Sequence, residues 1–117
     1  MANAILNKAF ILAKISLEAY LFLKSKGHYK LADQIVSSGT SVGANVEEAQ
    51  AAHSKLDFIS KLTIANKEAR ETKYWISFLN EPEFLSDFRR LEEMEKVTEE
   101  VILLLNAIIK KTRDNLD

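Results

Sequence analysis

Ser41, Asn45 and Glu48 stand at i, i+4 and i+7, a spacing that stacks three polar side chains on one face of a helix. The apolar row Leu31, Ile35, Val42, Val46 and Ala49 runs beside them, so the stripe lies at the margin of a core. Polar groups placed there are costly unless hydrogen-bonded, and the spacing predicts partners on a neighbouring helix. Two uses fit. The stripe can fix the register of packed helices, as single buried polar residues do in coiled coils. It can also offer a hydroxyl, an amide and a carboxylate to a ligand or a nucleic acid.

Glu47, Glu48, Glu68 and Glu71 are the carboxylates that a metal-dependent helical nucleotide hydrolase would need, provided that they converge on one divalent ion. Lys67, Arg70 and Lys73 are interleaved with the second pair, the pattern of an ion-paired helix surface. Neither histidine completes the Glu-x-x-His pair of a di-iron bundle: Ser25 precedes His28 by three residues and Gln50 precedes His53. Ser41 has no base at helical spacing, and the chain holds no HExxH and no Gly-rich phosphate loop. With no cysteine, thiol chemistry and disulfides are excluded. The expectation is a protein without catalytic residues, cofactor or metal. Lys24, Lys26 and Lys30 form a compact cationic group near Tyr20, Phe22 and Tyr29, which makes them the candidate phosphate contacts of a nucleic-acid interface.

The elements that hold these residues are all helical. A first helix is expected over about 3–26, closed by Gly27 in the left-handed position that follows a helix. Its polar residues Asn7, Lys14, Glu18 and Ser25 share one narrow face, and the apolar arc is wider than one core requires. A second helix is expected over 29–52. Gly39 and Gly43 each cost it roughly 1 kcal/mol relative to alanine, but four-residue spacing also lets a neighbouring helix come close. The third, over 55–80, opens on Ser54 as N-cap with Asp57 three residues on. Phe58, Leu62, Ala65, Ala69, Thr72, Ile76 and Leu79 form its seam, while Ile64, Glu68, Glu71, Trp75 and Phe78 lie on another face. Pro82 breaks the chain, and a fourth helix is expected over 87–112, starting near Ser86 or Asp87. Short connections force neighbours to run antiparallel, so residues 1–117 read as one all-α, up-down-up-down four-helix bundle. The surplus apolar surface predicts a homo-oligomer, with Ile64, Trp75, Phe78, Leu12 and Ala19 as its interface.

Ser41-Val42-x-x-Asn45-Val46-x-Glu48, then Ser54-x-x-Asp57-Phe58, then Ile64-Ala65 and Glu71-Thr72-x-Tyr74-Trp75, resembles the bacterial 23S rRNA intervening-sequence protein family, also described as four-helix bundle protein. Many relatives carry an arginine where this chain has Ser37 and Ser38. The resemblance implies a closed, pentameric ring of four-helix bundles with a structural or accessory role and an association with RNA. It also points to the related accessory variability determinants of diversity-generating retroelements, which bind nucleic acid and a reverse transcriptase. An RNA or a reverse-transcriptase-like protein is thereby the implied partner.

The whole-chain balance limits that analogy. Net charge is −1 over 117 residues, and 47% of them are hydrophobic and 28% charged, the make-up of an ordinary folded chain. Charge is nonetheless polarised. Residues 1–30 hold five lysines against Glu18, and residues 81–100 hold eight acids against Arg89, Arg90 and Lys96. The longest apolar run, Val101 to Leu105, falls far short of a bilayer span, and no signal-peptide pattern opens the chain. No membrane role and a cytoplasmic location are expected.

Overall fold

In the computed structural model, which describes residues 2–116, four helices follow one another: α1 (Ala2–Ser25), α2 (Tyr29–Ala49), α3 (Lys55–Phe78) and α4 (Leu91–Asp114). Each is in contact with two others, α1 and α3 with α2 and α4, so α1 and α3 are diagonal. Cross-links between helices fix the directions. Ser38 meets Thr72 while Glu48 meets Lys61; Lys73 meets Glu99 while Asn66 meets Asn106; Lys8 meets Glu100 while Glu18 meets Arg90. In every such pair the residue numbers run in opposite senses, the antiparallel up-down-up-down arrangement.

α1 ends as its glycine requires. Gly27 has φ 88°, its N–H bonds the Lys24 carbonyl at 2.9 Å, and the His28 N–H reaches back to Leu23 at 3.0 Å. This is the two-bond closure that a left-handed residue after a helix permits. α2 runs unbroken through Gly39 and Gly43 and stops at Ala49, three residues short of the expected end. Its last N–H groups, on Gln50, Ala51 and Ala52, turn to carbonyls three residues back. α3 starts on the expected cap: the Ser54 hydroxyl accepts from the Asp57 N–H at 3.0 Å, and the Asp57 carboxylate accepts from the His53 N–H. Loss of that hydroxyl in Ser54→Ala is expected to lower stability by about 1 kcal/mol in a urea titration.

The expected start of the fourth helix needs correction. Residues 80–90 form a chain of turns, and α4 begins at Leu91, not near Ser86 or Asp87. Leu85 and Phe88 are both buried, three residues apart and pointing into the end of the bundle. Their backbone is bonded by turns, Leu85 N–H to Leu79 and Phe88 N–H to Leu85. A helix running outward from Ser86 would release that backbone from its bond to Leu79. Arg90 ties the turn down by donating to Glu18 on α1 and to Glu93 in the first turn of α4. The hydrogen bond from Arg90 holds the Glu93 carboxyl below its usual range.

One core joins all four helices. The predicted α3 seam is buried at Leu62, Ala65, Ala69, Thr72, Ile76 and Leu79 and half-buried at Phe58, and α4 buries Leu91, Met94, Thr98, Val101, Leu105 and Ile108 at the same alternating spacing. From α1 the core takes Ile5, Ala9, Leu12, Ser16, Ala19 and Leu23, again at alternating four and three. Among the described residues, no helix is long and apolar enough to cross a membrane.

Candidate functional site

The polar stripe does not find partners where its spacing predicts them. The Ser41 hydroxyl donates to the Ser37 carbonyl at 2.7 Å, and the Asn45 amide donates to the Ser41 carbonyl at 2.9 Å. Both bonds stay within α2, because a carbonyl one turn back is always in reach of a short polar side chain. Only Glu48 crosses to α3, accepting from Lys61 at 3.2 Å. The cross-links at Ser38 and Glu48 set the register, which puts Ser41 level with Glu68 and Asn45 level with Ile64 and Ala65. The buried bridge between α2 and α3 is instead Ser38 with Thr72, hydroxyl to hydroxyl at 3.0 Å. That pair was not anticipated; Ser38 lies three residues before Ser41 on the core side, where its spacing from Ile35 and Val42 marks it.

The carboxylates of the hydrolase alternative are likewise dispersed. Glu48 is paired with Lys61, and Glu71 accepts from the Trp75 indole N–H at 3.0 Å. Among the described residues no three His, Asp or Glu side chains are grouped so as to hold a metal ion, and Glu47, Glu48, Glu68 and Glu71 are no exception. Burial, and then the neighbouring Glu71 carboxylate, hold the Glu68 carboxyl above its usual range, with Lys67 opposing.

The lysine group is divided. Lys26 donates to the carbonyls of Pro82 and Phe84, both at 3.1 Å, and lies over the Phe22 ring. His28 donates to the Glu83 carbonyl and packs on Phe84 with ring centroids 4.6 Å apart. These two side chains therefore fasten the 80–90 turns to the end of α1. Lys24, over the Tyr20 ring at 5.1 Å, and the exposed Lys30 beside the exposed Tyr29 remain as cations on the surface. His53 is exposed at the α3 start.

Of the five expected interface residues, Leu12 and Ala19 are fully buried inside the bundle and cannot meet a second copy. The outward apolar residues of α1 are Phe10, Ile11, Leu17 and Leu21, with Phe10 64% exposed. Leu12 and Ala19 belong to the four-three series from Ile5 to Leu23 that the bundle buries, whereas Phe10, Leu17 and Leu21 are interleaved with Lys14 and Lys24. On α3, Ile64 and Phe78 are exposed and Trp75 is partly buried. Tyr74, missed as an interface residue, is 57% exposed and stacks on Phe78 at 5.8 Å, with Trp75 edge-on to both. Trp75 is the brace and Tyr74 with Phe78 the platform.

The sequence profile of the 23S rRNA-intervening sequence protein matches residues 1–107. A crystal structure from Bacteroides thetaiotaomicron, of a protein with unknown function from the S23 ribosomal protein family, superposes with a TM-score of 0.84. It is 38% identical over 93% of this chain and 97% of that one. No curated protein matches the chain.

Proposed function

The chain belongs to the 23S rRNA-intervening sequence protein family, and from that premise we propose that it is a non-enzymatic, cytoplasmic accessory protein that assembles with its own copies and associates with RNA. The aromatic platform of Tyr74 and Phe78 carries the self-association part. Two stacked rings, each more than half exposed and held by a third, are a large rigid apolar surface at low entropic cost to a partner. The platform joins Ile64 on the same face, and Phe10, Leu17 and Leu21 add a second apolar face on α1. A ring of five copies is the assembly that the family resemblance favours.

The RNA part is supported by the family's link to rRNA and by Lys24, Tyr29 and Lys30 at the α1–α2 turn. Repetition around an assembly multiplies such a weak patch. The test is an anisotropy titration of the purified protein against a structured RNA over a salt series. Log affinity is expected to fall linearly with log salt, and Lys24→Ala and Lys30→Ala to reduce the slope by about 1 each per protomer engaged. No binding at low salt would remove RNA and leave a protein-binding scaffold.

A further inference from the structure

The outer faces of α1 and α3 point away from one another, since these helices are diagonal. Between α1 and α2 lies an open groove of about 540 Å³, floored by Ala13, Gly43 and Ala44 and walled by Leu6 and Phe10. Small residues make such a floor because they leave room for side chains from outside. Lys14 rises beside it over the Phe10 ring, and among the described residues it makes no ion pair. The α3 face is the converse, a ridge of Tyr74 and Phe78 beside Glu68 and Glu71, two carboxylates with no salt bridge among the described residues. Glu68 is held above the usual carboxylate range there by burial and by Glu71, so a cation arriving from outside counters the Glu71 charge and offsets the cost of burial.

We infer that the α1–α2 groove of one copy receives the Tyr74–Phe78 ridge of the next, with Lys14 facing Glu68 and Glu71. This rests on the self-association proposed above and gives it a direction. Like faces do not suit each other: ridge against ridge sets four carboxylates together, and groove against groove sets Lys14 against Lys14. Glu47 at the far end of the groove and Lys67 on the ridge are also of opposite sign. A contact between two unlike faces leaves one groove and one ridge open at the ends of any chain of copies, and only closure into a ring satisfies all of them.

Complementation separates this pairing from the alternatives. One variant carries Phe10→Glu with Ala13→Glu and has no usable groove; the other carries Tyr74→Glu with Phe78→Glu and has no ridge. In sedimentation each alone is expected to be a monomer, and an equimolar mixture a one-to-one dimer that grows no further. A variant that still self-associates, or a folded pair that does not combine, overturns the pairing while leaving self-association standing. A monomeric unmodified chain overturns both. Charge reversal gives a second reading on surface residues alone. Lys14→Glu and Glu71→Lys are each expected to weaken assembly at least tenfold, and the double reversal to recover most of it; no recovery overturns the pairing.

Discussion

Gly39→Ala is expected to destabilise the bundle by about 2 kcal/mol, even though alanine is the better helix former by about 1 kcal/mol. A Cβ at Gly39 would lie 2.5 Å from the Cβ of Ser16 and closer still to its hydroxyl. A hydroxyl can rotate away. A Cβ moves only with its helix, and α1 is held against α2 again one turn along, where Gly43 faces Ala9. The clash is therefore met by parting two packed helices, which strips contacts from Leu12, Ile35 and Val42, all fully buried. Gly43→Ala is the control. Its Cβ would sit 3.5 Å from the Ala9 carbonyl oxygen, an ordinary contact, so the propensity gain survives and stability is expected to rise slightly. Urea titrations at one protomer concentration separate the two, since assembly shifts apparent stability. Combining Gly39→Ala with Ser16→Gly moves the Cβ to the other helix and should recover most of the loss. Ser16→Ala alone should stabilise by about 1 kcal/mol, because its hydroxyl is buried and has no hydrogen-bond partner among the described residues. Gly39→Ala at parental stability would show that α1 and α2 can part there at no cost.

What could be read from the sequence follows from how local each signal was. On α3 and α4 the apolar seam and the polar faces are distinct, so the core residues follow from period alone. α1 is apolar on most of its circumference, and there period gave several answers: Leu12 and Ala19 were expected outside and lie inside, while Phe10 and Leu21 lie outside. The glycines of α2 pull against helix by propensity, and packing on α1 overrides them. Only distances tell that Gly39 is tightly enclosed and Gly43 is not. The polar stripe was legible as a helix face, but not its bonding, because Ser41 and Asn45 satisfy themselves on their own helix. Least legible was Lys26. Its carbonyl partners lie 56 and 58 residues away in a segment without periodicity, and nothing local distinguishes it from Lys24 or Lys30.

That segment is the site of the second large effect: Leu85→Ala is expected to cost about 3 kcal/mol, as much as truncating a leucine in the helical core. Leu85 is fully buried although it belongs to no helix, and it packs with Leu79, Phe88 and the other residues that close this end of the bundle. Its backbone N–H bonds Leu79, so the turn cannot collapse inward to fill a cavity without losing that bond. Lys26 holds the same turn from outside through Pro82 and Phe84, and His28 does so through Glu83. Lys26→Met keeps the stem over Phe22 and removes only the donors, for a cost of about 1 kcal/mol. Hydrogen exchange reads both effects: the amides of Leu85 and Phe88 should lose protection in either variant, and those of Val42 and Val46 should lose about 3 kcal/mol of it in Leu85→Ala but only about 1 kcal/mol in Lys26→Met. The distinction bears on RNA. A lysine tied to two carbonyls keeps its charge but is held back from direct phosphate contact, so Lys26→Met should lower the salt slope of RNA binding less than Lys24→Ala does. An equal fall in slope for both would mean that Lys26 leaves Pro82 and Phe84 when RNA binds, and that the 80–90 turns are released with it.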